Sequence, residues 1–185
     1  MERGSLSRLE PPDEDFDSLV HLHRPRIFRF LLASLRDRET AENLTQDCFV
    51  RAYQARAQFR GASSIATWLM QIAANLVRNH ESSSRLKFWR RSLHTGDDLA
   101  DIGNSVPDRQ QQSPETAVLV QEQVQAIWAA AGRLPSRQRT VFLLRFVEDM
   151  DLLEIAEVTG MKEGTVKAHL FRALHTVRAR LEETQ

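Results

Sequence analysis

The chain holds 185 residues, 42% of them hydrophobic, with 25 basic side chains against 25 acidic ones. That length suits one ordinary domain or two small ones, and the apolar share excludes wholesale disorder. A formal net charge of zero excludes indiscriminate coating of nucleic acid, though not local basic patches.

The charge is segregated along the chain. Residues 1–20 carry six acids and two bases, residues 21–93 carry thirteen bases and five acids, and residues 94–132 carry six acids and one base. Such a layout suits a chain that meets an anionic ligand at chosen places only. Cys48 is the sole cysteine, which forbids an internal disulfide, and its apolar periodic setting reads as a small buried hydrophobe. The polar start is unlike a signal peptide and no run of 18 apolar residues exists, so the expected compartment is cytoplasmic, with no membrane insertion.

Helical periodicity dominates from Phe16 onward. Phe16, Leu19, Val20, His23, Ile27, Phe30 and Leu31 recur three or four apart, and Pro25 within that run predicts a kink or a break. A second helix is predicted from about Arg38 to Gln54, with Ala41, Leu44, Cys48, Ala52 and Ala55 on one stripe. A third starts near Ser64 and carries Ile65, Trp68, Leu69, Ile72, Ala73 and Leu76. No comparable alternation of period two appears, so strands are not expected.

The pattern fails from about Ser82 to Ser113, a stretch with Ser82-Ser83-Ser84, Gly96, Gly103, Pro107 and three consecutive glutamines. It reads as a flexible linker, too long for a loop inside one compact domain. Ser113-Pro114-Glu115 then has the residue types of a helix start, and that helix runs to about Ala131 before Gly132 and Pro135. Ser136 opens a fifth helix with Val141, Phe142, Leu144 and Phe146. Asp151 and Glu154 are spaced as a capping box for a sixth, Leu152 to Thr159. After Gly160 a long last helix carries Val166, Leu170, Ala173, Leu174, Val177 and Leu181. The expected fold is all-α: two small helical domains, 15–85 and 114–185, joined by a linker over 86–113 and preceded by a tail over 1–14.

Two constellations carry chemistry. The last two helices, with small Ala156 at their approach and Gly160 at the turn, read as a helix-turn-helix. Val166, Leu170, Ala173 and Val177 face inward, which leaves Thr165, Lys167, Ala168, His169, Phe171 and Arg172 largely outside as a basic recognition face. The other is Phe59 to Asn75, a glycine- and serine-rich loop ahead of a helix with Trp68 and with Thr67, Gln71 and Asn75 at spacing four. Flanked by Arg60, Arg78 and Arg85, that face suits unpaired bases, although a tryptophan at helical spacing equally suits the core. A third cluster, Lys87, Phe88, Trp89, Arg90 and Arg91, fits either phosphate tracking or a solvated linker. The six histidines lack metal-type company, and neither a phosphate loop nor a nucleophile elbow is present, so neither enzyme activity nor a cofactor is expected.

From about Asp15 to Leu181 the chain resembles the sigma-70 family, in its smallest branch, the extracytoplasmic-function sigma factors. Ala41-Glu42-Asn43-Leu44-Thr45-Gln46-Asp47-Cys48-Phe49 is similar to the polymerase-binding segment of region two, and Phe59 to Asn79 to its minus-ten recognition segment. Leu134-Pro135-Ser136-Arg137-Gln138-Arg139 and Gly164-Thr165-Val166-Lys167 resemble region four. The resemblance implies a protein that directs core RNA polymerase to promoters. Asn43, Gln46, Asp47 and Arg51 would dock on the clamp helices of the largest polymerase subunit. Arg60, Gly61, Ser63, Ser64, Ile65, Thr67, Trp68, Gln71, Asn75, Arg78 and Asn79 would take the minus-ten strand. Gly164, Thr165, Lys167, Ala168, His169, Phe171 and Arg172 would enter the major groove at the minus-thirty-five element, with Arg145 on a phosphate. It further implies promoter DNA and an anti-sigma factor as partners; a monomer is expected for the free chain. The chain departs from the family at Asn43, Ala168 and His169, where aspartate, serine and arginine are common, and at the serines 82–84.

Two rival readings fit less of the chain. A response-regulator type of helix-turn-helix protein carries an alternating strand–helix receiver, whereas residues 16–85 read as helices alone. An adaptor helical bundle leaves the cationic face of the last helix unexplained.

Overall fold

In the computed structural model, residues 13–59, 61–92 and 124–183 are described, with side chains over 16–59, 61–83 and 124–183. All regular structure among them is helical. The elements are α1 (Asp13–Leu35), α2 (Arg38–Ala55) followed by a 3-10 turn (Arg56–Gln58), and α3 (Ile65–Ser92). Then come α4, whose described part is 124–132, α5 (Ser136–Phe146), α6 (Leu152–Thr159) and α7 (Glu163–Glu182).

Helices α1 to α3 pack around Ile27, Phe30, Leu31, Ala41, Cys48, Ala52, Leu69, Met70, Ala73 and Val77, all nearly devoid of exposure. The buried residues of α2 are mostly small, Ala41, Thr45, Cys48 and Ala52, with Phe49 the one large side chain among them. Arg36 takes a left-handed conformation at φ 59° to close α1, and Asp37 caps α2 by accepting from the Thr40 amide at 2.6 Å. That hydrogen bond is the main cause holding the Asp37 carboxyl below its usual range.

Pro25 does not break α1, contrary to one reading of the sequence. A proline inside a helix costs about 3 kcal/mol or more. Phe16, Ile27, Phe30 and Leu31 are all buried on the stripe that the continuous helix presents. At about 1.5–3 kcal/mol for each large side chain, their burial outweighs the loss. The third helix also runs past its expected end, through Ser82-Ser83-Ser84 to Ser92. Serine is a mediocre helix former but not a breaker, and no glycine or proline intervenes. The expected linker thus begins inside α3, and its part beyond Ser92 lies outside the described residues, as does the predicted start of α4 at Ser113.

Helices α5 to α7 pack around Val141, Leu143, Leu144, Ile155, Val158, Val166, Ala173 and Val177, and Ala130 and Ala131 at the end of α4 are buried too. Asp151 and Glu154 form the predicted capping box, each side chain satisfying the other's backbone N–H at 2.8 Å. Gly160 then turns the chain at φ 67°, a conformation that costs a residue with a Cβ and that glycine takes freely. The two sets of helices touch: α5 lies against α1, and α6 lies along α3.

Candidate nucleic-acid interface

The α6–α7 pair holds α7 by its buried Val166, Ala173 and Val177, with Leu170 half-buried. Gly164, Thr165, Lys167, Phe171 and Arg172 are exposed on the opposite side, as expected, and Ala168 is half-buried. Phe171 is 74% exposed, an apolar ring in water. Lys167 pairs with Glu163 one turn earlier at 2.6 Å, and both are well exposed. Such a pair contributes little, so a phosphate can displace the carboxylate at small cost. His169 is half-buried, and its Nδ1 is buried without a hydrogen-bond partner in the protein. Burial lowers its pKa, helped by nearby Arg172 and Arg137, so the imidazole is neutral at neutral pH. Arg145, expected to grip a phosphate, donates through Nη1 to the Met150 carbonyl at 2.9 Å. It thereby braces the turn between α5 and α6.

In the loop ahead of α3, Gly61 sits at φ 69° and Ser64 caps the helix, accepting from the Thr67 amide at 3.0 Å. Arg60 lies outside the described residues. Gly61, Ser64, Ile65 and Asn79 are exposed, and Ser63 is half-buried. Trp68 is half-buried, its ring 4.9 Å from that of Phe59, so it serves the core and still shows an edge at the loop. Thr67 is a correction: it is buried at 4% exposure, with its hydroxyl 2.8 Å from that of Ser64. It completes the cap and offers nothing to a base.

Gln71, Asn75 and Arg78 do share a face, and Arg78 donates to the Asn75 side chain at 2.8 Å. This face is turned toward the second set of helices. Gln71 donates to the Glu157 carbonyl at 3.4 Å. Asn75 and Arg78 line a cavity of about 270 Å³ whose other wall is Ser136, Arg137, Thr140 and Thr159 to Met161.

On α2, Asn43, Gln46, Asp47 and Arg51 are all exposed, off the buried stripe. Asn43 and Gln46 border a groove of about 620 Å³ whose floor and walls are largely apolar: Phe16, Val20, Phe49, Val50 and Tyr53. The sequence reading missed this apolar half. Its signal was present in Val50 and Tyr53, three apart and off the core stripe; they are 47% and 38% exposed. Cys48 is buried, its Sγ 3.5 Å from the Leu69 carbonyl, and burial pushes its thiol up to about 12. Among the described residues no three ligand-type side chains gather as a metal site. None of the described helices is long and apolar enough to cross a membrane.

Comparison with known proteins agrees with this geometry. Residues 19–102 match the family model of sigma-70 region 2, and residues 124–177 match that of sigma-70 region 4. The chain is 31% identical to the RNA polymerase sigma-H factor of Pseudomonas aeruginosa, over 88% of this chain and 83% of that one. It is 26% identical to the ECF RNA polymerase sigma factor SigW of Bacillus subtilis, over 99% and 98% of the two chains. Among solved structures, the sigma factor RpoE of Bartonella quintana, in complex with the anti-sigma factor NepR, aligns with a TM-score of 0.67. That match has 22% identity and covers 91% of this chain and 98% of the other. CnrH, in complex with the cytosolic domain of CnrY, aligns with a TM-score of 0.65 at 20% identity, over 95% and 92%. With both regions present in order and a relative above 30% identity matched over most of its length, the chain belongs to the sigma-70 family, in the extracytoplasmic-function branch.

Proposed function

We propose that this sigma factor divides promoter recognition between its two sets of helices, acting in the cytoplasm on core RNA polymerase. The reading rests above all on α7, a helix held from behind by apolar contacts and bearing exposed Thr165, Lys167, Phe171 and Arg172 in front. That face would enter the major groove at the minus-thirty-five element. The loop at Gly61 to Ile65 and the Gln71–Asn75–Arg78 face of α3 would hold the unpaired minus-ten strand, where stacking and hydrogen bonds to base edges do the reading. Asn43, Gln46, Asp47 and Arg51 would dock on the clamp helices of the largest polymerase subunit, with the apolar groove beside them burying part of the partner. The two parts, 15–85 and 114–185, would act as separate modules spanning the promoter on the linker over 86–113. The solved relatives are bound to NepR and to CnrY, which supports an anti-sigma factor as a partner here.

The test is run-off transcription with core polymerase on a set of promoter templates, together with co-purification at moderate salt. Promoter-dependent initiation is expected with the native chain. Asp47→Arg places a cation on an exposed position of α2, so it should lose core binding while its circular dichroism stays native. Undiminished recovery of core enzyme by that variant would remove α2 from the docking surface.

A further inference from the structure

The turn between α5 and α6 holds the most deeply buried acid of the described residues. Glu148 has no exposed side-chain surface, yet it lies in a connection rather than in a helix. Its carboxylate accepts from Arg26 Nε at 2.8 Å and from Arg29 Nε and Nη2 at 3.1 and 3.2 Å. Arg26 also donates to the Glu148 backbone carbonyl at 3.0 Å. Both guanidinium groups come from α1, in the other set of helices. The next residue, Asp149, stands at φ 52°, a left-handed turn in the backbone that presents the acid.

Further contacts join the two sets. Glu81 of α3 accepts from Ser136 and Arg139 of α5, and the Arg36 guanidinium lies where a Cβ on Gly132 would stand. Between these contacts α6 lies on α3, with Gln71 bonded to the Glu157 carbonyl and Ala74 buried. The face that carries Gln71, Asn75 and Arg78 therefore has a helix on it, and a nucleic-acid strand cannot occupy the same space.

We propose that Glu148 with Arg26 and Arg29 is an electrostatic latch that holds the free chain closed, with α6 covering the strand-reading face of α3. The covering role rests on the minus-ten reading of that face given above; the latch does not. A buried carboxylate stripped of its cations is strongly unfavourable, so loss of the arginines drives Glu148 into water and the halves apart. The arginines themselves are 34% and 53% exposed, so dissolved ions reach the cluster and weaken it. In the closed state apparent affinity for a strand is scaled down by the fraction of molecules that are open.

Energy transfer between dyes on Q54C and R178C of the full chain reads the separation of the halves. Both positions are exposed, and the buried Cys48 thiol stays unlabelled. The wild-type chain should show high transfer at low salt, lost on raising salt to about 1 M. E148Q and, separately, R26A/R29A should show low transfer already at low salt. The arginine pair lies on a helix surface, which keeps the test valid should E148Q unfold. Combining R26E/R29E with E148R should restore high transfer. A fluorescent single-stranded oligonucleotide of randomised sequence, about 12 nucleotides long, should bind the opened variants about tenfold more tightly than the wild type. Wild-type transfer in both E148Q and R26A/R29A would overturn the latch. Separation of the halves with no gain in oligonucleotide affinity would overturn the strand-reading role of α3 while leaving the latch in place.

Discussion

Lys167 and Arg172 are both exposed on α7, five residues apart, and the proposed reading gives them different work. Lys167 is in the first turns and already holds a weak ion pair with Glu163, the behaviour of a point charge that trades one anion for another. Arg172 lies beside exposed Phe171, and its planar fork can meet guanine O6 and N7 together. Losing such a base contact costs about 1–3 kcal/mol at one position. Arg172→Ala should therefore cut transcription from a cognate promoter and relax preference at a single minus-thirty-five base. Lys167→Ala should weaken all templates alike and flatten the salt dependence by about one unit. Transcription from a series of single-base variants checks both; an equal loss across the series with Arg172→Ala would reduce that residue to a backbone anchor. Periodicity placed these two side chains on the outside because Val166, Ala173 and Val177 had to go in. It misplaced Thr67, because a spacing of four fixes a face but not a depth, and the cap at Ser64 draws that hydroxyl inward.

At the scale of elements, local chemistry was legible wherever a cap or a turn residue states it. The Asp151–Glu154 box and the Gly160 turn are both where the spacing put them. Helix ends without such a marker were not legible, as at Ser82 to Ser92 of α3, where the apolar pattern lapses but nothing terminates the backbone. Arg145, given a phosphate by the family resemblance, also holds the Met150 carbonyl ahead of α6, a local contact that nothing in its neighbourhood of the sequence announces. The capping box has a measurable role. Helix α6 has only eight residues, too few to stand without its cap and its packing. Asp151→Ala should lower stability by about 1 kcal/mol, the usual cost of losing a side-chain cap. Urea unfolding checks this, with a midpoint shift at unchanged slope as the expected result. No shift would mean that packing of Ile155 and Val158 alone sets the helix.

At the scale of the whole molecule, the helices and their order were readable because most of their packing is between helices near in the chain. Their mutual arrangement was not, since Arg26 and Glu148 stand 122 positions apart and nothing in either neighbourhood names the other. The same holds for the groove beside Asn43 and Gln46, whose walls come from two helices. One of those walls has a particular construction. Pro25 lacks an N–H, so the His21 carbonyl has no helical donor and α1 lacks one rung between its two ends. The part after the proline is anchored by Ile27, Phe30 and Leu31, which are almost fully buried, while the part before it is anchored chiefly by Phe16 against Tyr53. Amide hydrogen exchange should therefore separate the helix into two protection levels, with residues 17–24 exchanging faster than residues 28–35. Uniform protection across Pro25 would show a single cooperative unit. Val20 and Arg24 belong to the faster segment, Phe16 stands just ahead of it, and all three line the groove. The α1 side of that groove is thus expected to be held less firmly than its α2 side, where Phe49 is buried.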